Sequence, residues 1–247
     1  MCPGYAGVGS VVDARRVARL ASRCVVRGCG TVAETAAVTA PARDVLHRLA
    51  AADWATAPLR DAGAVGTLRP RAGSLLLHRG AGAARVAPSA LPVATNAVDG
   101  LALLLALPVV DDVDGLFAEL RRVLRPGATL VVVVPSVVVR STADLRWRSA
   151  LRPAHRGPWR HRSALDRAGW LLSAADFAVL GDDRVPFALP LPTSDTAGSA
   201  VDALTAAAVW PPGLGPDARA ELTAALVEHA GPGRRLPVPL RRLVARR

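Results

Sequence analysis

A stretch rich in arginine and tryptophan, residues 145–165, carries the side chains best suited to bind a small molecule. It contains six arginines, two tryptophans and two histidines but no carboxylate. Guanidinium groups bind anions through paired hydrogen bonds and also stack on aromatic rings. We therefore expect Arg148, His155, Trp159 and His161 to contact an anionic or aromatic ligand, with the two histidines as the candidates for a general base. The alternative is a solvated basic loop whose tryptophans pack against the core.

The composition indicates a folded protein. The hydrophobic fraction of 51% and the mean hydropathy of +0.28 argue against global disorder. All 31 basic residues are arginines, because the chain has no lysine, and a GC-rich genome would produce this bias. The net charge of +11 therefore indicates solubility and nonspecific association more than a nucleic-acid partner. No apolar run reaches the roughly 18 residues that span a bilayer, and the N-terminus lacks a signal-peptide pattern. We expect a cytoplasmic protein without a membrane partner.

The three cysteines carry no evident chemistry. Cys24 and Cys29 have four residues between them, and no second Cys/His pair lies nearby to complete a zinc site. The odd number argues against a disulfide framework. We expect these thiols to be buried or incidental, with no metal site.

The clearest structural signal begins at Leu91. Val98 to Leu107 is nearly all apolar, which is typical of a strand buried on both faces of a parallel sheet. An amphipathic helix follows, with Asp111 and Asp112 as candidate N-terminal caps, its apolar residues facing the core and its charged residues facing water. Arg125-Pro126-Gly127 ends that helix, and Thr129 to Val134 is predicted as a second buried strand. Strand, helix and strand in this order predict a right-handed parallel crossover.

The rest of the chain has weaker patterns. We predict six further elements after Pro135 and two helices, one short strand and one turn before Leu91. The later elements are a helix at 163–168 ended by Gly169, strand pieces at 178–180 and 185–189, helices at 201–208 and 217–229, and a closing strand at 236–244. Pro237 and Pro239 favour the edge of the sheet for that last strand. The earlier ones are helices at 11–20 and 42–52, a short strand at 75–77 and a turn at 80–82.

Several of these segments resemble the class I S-adenosylmethionine-dependent methyltransferases, in particular those of methyltransferase type 11. The segments are Leu91-Pro92-Val93, Val110-Asp111-Asp112, the run from Ala118 to Gly127 with its Arg-Pro-Gly ending, Leu165 to Trp170, and Pro239 to Arg242. The resemblance implies an α/β, Rossmann-like fold. In it a mostly parallel central sheet has helices on both faces and an antiparallel C-terminal strand. The expected organisation is a single domain over residues 1–247, in which residues 1–70 are a divergent, mainly helical N-terminal portion.

The resemblance also implies S-adenosylmethionine as the cofactor, held by a glycine-rich turn that lets the backbone approach closely. The cofactor-binding residues that it implies are Gly28, Gly30 and Leu107. Residues 24–31, Cys-Val-Val-Arg-Gly-Cys-Gly-Thr, are similar to the family's turn, although Val32 stands where a further glycine is usual. The rival is residues 75–82, which resemble a strand and turn but leave no room for two more strands before Leu91.

Two further positions depart from the family's pattern. Ala87 stands where an acid usually precedes the Leu-Pro turn, and Pro108-Val109 stands where many relatives carry a histidine pair. The resemblance therefore implies no catalytic residue at the end of the fourth strand, and the acceptor contacts fall on the arginine- and tryptophan-rich stretch.

Three functions remain open on this basis. The first is methyl transfer to a small-molecule acceptor. The second is a methyltransferase-like protein that has lost the cofactor and serves binding or regulation, with its cleft filled by side chains. The third is DNA binding through a helix-turn-helix at residues 31–51, in which Arg43 and Arg48 would face phosphates and residues 69–79 would form a wing.

Overall fold

The computed structural model describes residues 52–71, 74–80, 82–136 and 142–247, together with Val45, Arg48 and Leu49. These residues form a seven-stranded sheet in the order β3-β2-β1-β4-β5-β7-β6. The strands are β1 Val65–Arg71, β2 Ser74–Arg79, β3 Gly82–Val86, β4 Val98–Leu104, β5 Leu124–Pro135, β6 Ala178–Pro190 and β7 Arg235–Arg246.

Helices cover both faces of the sheet. A helix at Asp53–Thr56 (α1) and a 3-10 turn at Ala57–Leu59 precede β1. The later helices are α2 Val113–Val123, α3 Thr142–Trp147, α4 Arg152–Arg156, α5 Ser163–Asp166, α6 Ala168–Ala174, α7 Ser194–Ala206 and α8 Pro216–His229. One core joins α3, α4, α7 and α8 to one face of the sheet, and the other joins α2, α5 and α6 to the opposite face. No helix in the described part of the chain is long and apolar enough to cross a membrane.

The parallel strand–helix–strand arrangement predicted from the sequence is confirmed. β4 pairs in parallel with both β1 and β5, so the three central strands run in one direction. β4 and the second half of β5 are almost completely buried, as their continuous apolar sequences predict. α2 ends at Val123 and β5 begins at Leu124, so the predicted Arg-Pro-Gly stop lies in the first residues of β5. Gly127 has a φ of +78°, which favours glycine, and its N–H donates to the Arg247 carbonyl at 2.8 Å. The chain therefore forms the predicted Rossmann-like α/β fold, with β7 antiparallel beside β5.

Asp112 is the cap of α2, and its side chain accepts a hydrogen bond from the Gly115 N–H at 2.7 Å. We expect Asp112→Ala to lower the free energy of unfolding by about 1 kcal/mol, because that N–H loses its partner. Urea denaturation measures the change. The control is Asp111→Ala, which removes only an exposed ion pair with Arg160 and is expected to cost less. Equal losses at both positions would contradict the capping role.

The N-terminal half of the sheet departs from a repeated strand–helix pattern. β1 and β2 pair antiparallel from Gly66–Arg79 to Arg71–Ser74, and β2 and β3 continue the same meander. Residues 75–77 therefore lie in a strand, as predicted, but β2 leads into a hairpin and not into a cofactor-binding turn. The rival assignment of the glycine-rich turn to residues 75–82 is wrong for this reason. Residues 69–79 are also not a projecting wing, because β1 lies between β2 and β4 in the sheet.

The C-terminal strand is confirmed, but its predicted place at the edge is wrong. β7 lies between β5 and β6, and β6 is the edge strand. The last residue pair between β5 and β7 is Pro135–Leu240. Pro237 and Pro239 lie beyond that pair, so β7 tolerates these two prolines because β5 no longer runs beside them. Ser136 N–H donates to the Pro239 carbonyl at 2.9 Å, so the Pro239 nitrogen faces that same side, where no strand continues. The two prolines therefore indicated an unpaired side at the start of β7 only, and not along the whole strand.

Three predicted boundaries also change. Gly169 does not end a helix, because α6 begins at Ala168 and runs to Ala174, which buries Leu172 completely. The strand pieces at 178–180 and 185–189 are one strand, β6. The helix predicted at 201–208 begins at Ser194 behind the Thr193 cap, whereas the helix predicted at 217–229 is confirmed as α8.

Candidate functional site

The carboxyl ends of β4 and β5 meet at one edge of the sheet, where open α/β proteins bind ligands. β4 ends at Leu104, and the next residue, Leu105, has a φ of +59° while its N–H donates to the Val133 carbonyl at 2.8 Å. This conformation is unfavourable for a leucine and is held by the packing around it. Leu104, Leu105 and Leu107 are all completely buried. The loop after β4 therefore belongs to the core.

A small cavity lies where β5 ends, and we call it the β5 cavity. It is lined by Pro135, Ser136, Leu151, Ala154, His155, Trp159, Val209, Trp210, Pro237, Val238 and Pro239. Its volume is about 20 Å³, enough for one small group of atoms. Most of the wall is apolar, and the polar groups come from a serine, a histidine and a tryptophan.

His155 lines this cavity from α4. Burial lowers the pKa of its imidazole, the nearby Arg148 guanidinium lowers it further, and Asp144 acts in the opposite direction. The ring is therefore held in its neutral form at neutral pH, in which one nitrogen can accept a proton. Arg148 itself is exposed.

The lowered pKa of His155 predicts a pH dependence of stability. The unfolded chain binds a proton to this histidine below about pH 6.5, whereas the folded chain resists protonation until lower pH. The contribution is fully present above about pH 6.5 and is lost as the pH falls from there toward the folded pKa. We expect the free energy of unfolding to fall between neutral pH and about pH 5. We expect His155→Gln to fall less steeply.

Denaturant titrations of both proteins across this range measure the difference. Burial and Arg69 also lower the pKa of His78, so the variant keeps part of the slope. The expected change is therefore a shallower dependence, not a flat one. An unchanged slope in His155→Gln would contradict the lowered pKa.

Trp159 and His161 flank an arginine that binds the loop after β4. Arg160 forms an ion pair with Asp111, and the His161 N–H donates to the Pro108 carbonyl at 3.1 Å. The indole Nε1 of Trp159 and the Nε2 of His161 are buried, and neither has a hydrogen-bond partner in the described part of the chain. Buried polar atoms usually have partners, so these two require an explanation.

Gly157 lets this segment approach the body of the protein. A Cβ built at Gly157 would lie 2.7 Å from both Pro211 Cγ and Leu214 Cδ2. Only glycine fits at that separation without a shift of the neighbouring residues. The contact places Trp159 close to Trp210, which lines the same cavity.

The Leu-Pro turn before β4 is held by α2. Arg122 donates to the Val93 carbonyl at 2.7 Å and pairs with Glu119, while Glu119 accepts the Leu91 N–H at 2.7 Å. The Arg122 interaction lowers the pKa of the Glu119 carboxyl. The sequence pattern placed both residues on a wet face of the helix, and this was wrong because the turn packs over them. The spacing of three residues between Glu119 and Arg122 was the sequence feature that could have indicated their ion pair.

The predicted ligand residues divide into three groups. His155 and Trp159 share the β5 cavity, and Arg148 lies close enough to His155 to influence its pKa. His161 joins the adjacent loop and does not line the cavity. Leu107 packs in the core beside α2, and Gly28 and Gly30 lie outside the described residues. The predicted helix-turn-helix also lies outside them, apart from the helical Val45, Arg48 and Leu49.

Two parts of the cavity wall were not predicted from the sequence, namely Ser136 and the group formed by Trp210 and the prolines of β7. Ser136 follows the end of β5, and the rule that ligands bind at the carboxyl ends of strands could have indicated it. Trp210 and the prolines of β7 had no such signal, because their contribution depends on how α7 and β7 pack together. Among the described residues, no group of three or more His, Cys, Asp or Glu side chains is placed to hold a metal ion.

One protein-family model matches part of the chain. Residues 25–132, which are 108 of the 247 residues, match the model described as a methyltransferase domain. The matched segment begins just before Gly28 and ends within β5, so it includes the crossover and its Arg-Pro-Gly corner. No curated protein matches the chain.

Several solved structures are similar to parts of the chain. The [4+2]-cyclase SpnF has 20% identity and a TM-score of 0.38, over 66% of this chain and 54% of its own. The YcgJ protein from Bacillus subtilis has 15% identity and a TM-score of 0.36, over 65% and 67%. Geranyl diphosphate C-methyltransferase from Streptomyces coelicolor has 12% identity and a TM-score of 0.32, over 65% and 49%. At these scores none of them indicates what this chain binds.

The family's cofactor is S-adenosylmethionine, and the described residues can be compared with what it needs. A ligand of that size occupies a pocket of roughly 300–1,000 Å³. The β5 cavity is far smaller, at about 20 Å³. At the end of β4, Leu104, Leu105 and Leu107 are completely buried. The β5 cavity is therefore too small to hold the cofactor.

Proposed function

We propose that this protein is an S-adenosylmethionine-dependent methyltransferase that acts on a small-molecule acceptor bound beside the end of β5. The observation that carries the proposal is the meeting of His155, Trp159 and Ser136 in one cavity at the carboxyl end of a central parallel strand. Ligand sites of open α/β folds occur at this edge. The methyltransferase domain match supports the reaction class.

The cofactor supplies an activated methyl group, so the protein must bind, orient and in some cases deprotonate the acceptor. Trp159 and the apolar cavity wall would orient the acceptor. His155 is buried enough to remain neutral at neutral pH, so its ring would accept a proton from the acceptor. The cofactor contacts are assigned to Gly28 and Gly30, with Leu107 contributing through its backbone because its side chain is in the core.

Titration calorimetry of the full chain with S-adenosylmethionine, and with its demethylated product, tests the proposal. We expect both to bind. An absence of heat at millimolar cofactor would remove the proposed enzymatic function, provided that circular dichroism shows a folded protein.

A second candidate function is a methyltransferase-like binding protein that does not use the cofactor. The observation that favours it is the complete burial of Leu104, Leu105 and Leu107, which fills the end of β4 with side chains. In that case the β5 cavity still binds a ligand, but calorimetry shows no cofactor binding. Cofactor binding would exclude this second candidate.

A further inference from the structure

The polar groups of the β5 cavity share one property, which is that they can donate hydrogen bonds. The Trp159 Nε1–H is a donor only, it is buried, and it has no acceptor among the described residues. A buried donor without a partner is unfavourable, so the cavity is better satisfied when an acceptor atom enters it.

Ser136 contributes a second donor. Its Oγ accepts a hydrogen bond from Arg184 Nη1 at 2.6 Å. Because the oxygen is already an acceptor in that bond, the hydroxyl proton remains available for a ligand. The Arg184 guanidinium also places a positive charge next to the serine, which favours an anionic acceptor atom.

Three exposed arginines lie on and just before α4, which lines the cavity. Arg152 and Arg156 are the first and last residues of α4, and Arg148 lies in the turn that precedes it. None of them forms an ion pair with a carboxylate in the described part of the chain. Arg152 and Arg156 are one turn apart on α4, so their like charges repel one another, and an anion nearby would offset that repulsion.

We infer that the β5 cavity binds an oxyanion group, a carboxylate or a phosphate, carried by a ligand whose remaining part is apolar. Trp159 Nε1 and Ser136 Oγ donate to the oxyanion, and Arg148 supplies a positive charge close enough to act on His155. The cavity admits only a small group, and Leu151, Val209 and Pro237 provide apolar contacts for the atoms behind it. The identification of this ligand as a methyl acceptor rests on the proposed function, but the oxyanion site does not.

Three small aromatic probes test the site in the absence of cofactor. Benzoate carries a carboxylate, phenyl phosphate carries a phosphate, and benzamide is a neutral molecule of similar shape. The chain has five tryptophans, so a proton–nitrogen NMR spectrum contains five indole N–H signals. The Trp159 signal is the one that disappears in Trp159→Phe.

We expect benzoate or phenyl phosphate to shift the Trp159 indole signal with a saturating titration curve, and benzamide to leave it unchanged. Comparison of the two anions shows which oxyanion the site prefers. The inference is overturned if neither anion shifts the signal at millimolar concentration, or if benzamide shifts it as strongly as benzoate does.

Two pairs of variants identify the groups responsible. Trp159→Phe is expected to weaken binding of the preferred anion by roughly 10- to 100-fold, because a hydrogen bond to a charged group is lost. Trp170→Phe is the matched control, since Trp170 is 67% exposed on α6, and it should leave the affinity unchanged. Calorimetry measures the affinities, because the indole signal is absent from the first variant. Equal affinities in the two variants would contradict the role of Trp159.

The second pair changes charge. Arg148→Gln is expected to weaken anion binding by about two- to fivefold, because the arginine is exposed and screened by solvent. Arg246→Gln removes the same charge at the other end of β7, away from the cavity, and should have no effect. An equal loss of affinity in both variants would show that only the net charge of the protein matters, and it would contradict a specific role of Arg148.

The outcomes separate the inference from the proposed function. Anion binding without cofactor binding supports the oxyanion site and overturns the methyltransferase proposal. The anion titration is made both with and without the demethylated cofactor. Cofactor binding without anion binding in either titration supports the methyltransferase proposal and overturns the oxyanion site.

Discussion

Arg241→Ala is expected to lower the free energy of unfolding by about 2 to 3 kcal/mol, because it removes a buried guanidinium together with its hydrogen bonds to Asp182 and to two backbone carbonyls. Arg241 lies on β7, and its side chain is only 10% exposed. Its guanidinium donates to both Asp182 carboxylate oxygens, at 2.7 and 2.5 Å, and to the Asp166 carbonyl at 2.8 Å. These contacts raise the pKa of Arg241. The one side chain therefore joins β7, β6 and the end of α5.

Urea denaturation followed by circular dichroism measures this loss. Arg235→Ala is the matched control on the same strand, because Arg235 is exposed and makes a single hydrogen bond to the Ala188 carbonyl. It should cost no more than about 0.5 kcal/mol. Similar losses for Arg241→Ala and Arg235→Ala would show that the network contributes little.

The parts of the fold that the sequence predicted are those in which local pattern and tertiary packing agree. β4, α2 and β5 combine continuous apolar strands, an Asp112 cap and a glycine at Gly127 whose positive φ favours that residue, and each signal is complete within a few residues. Burial of the same apolar residues in the folded protein then reinforces the local preference. This agreement explains why the crossover was predictable without knowledge of its neighbours.

The N-terminal half of the sheet could not be predicted in the same way. The sequence of β1, Val-Gly-Thr-Leu-Arg-Pro-Arg, contains a glycine and a proline that both weaken a strand signal. Its stability comes from pairing with β4 on one side and β2 on the other, which are long-range interactions that no window of residues reveals. The order of the strands therefore had to come from the structure.

The sequence predicted which segment of the chain contains the candidate site, but not which side chains meet in the cavity. The arginine- and tryptophan-rich composition indicated His155 and Trp159, and the structure places both in one cavity. The same composition gave no reason to separate them from His161, which lies in the adjacent loop because its N–H binds the Pro108 carbonyl. Side-chain partners such as Ser136 come from distant elements, so composition alone does not locate them.

The placement of β1 has a consequence for the cofactor. In nucleotide-binding α/β folds the first strand and its glycine-rich turn lie beside the fourth strand. Here both sides of β4 are already paired, with β1 and with β5. Within the described residues, the strand beside β4 is therefore β1, which leads into β2 and not into a glycine-rich turn. Cofactor binding through Gly28 and Gly30 is a direct test of the proposed function.

We expect Gly30→Val to weaken the binding of S-adenosylmethionine by roughly 10- to 100-fold, because a side chain there would keep the backbone from approaching the cofactor. Gly28→Ala should weaken binding in the same direction. Gly82→Ala is the control, since a Cβ there would meet only the Arg79 carbonyl oxygen, at an ordinary 3.5 Å. It should leave the affinity unchanged. Calorimetry measures the affinities, and thermal unfolding monitors the fold. If the wild-type chain binds the cofactor and Gly30→Val binds it equally well, the cofactor is held by other residues and the assignment of the glycine-rich turn is wrong.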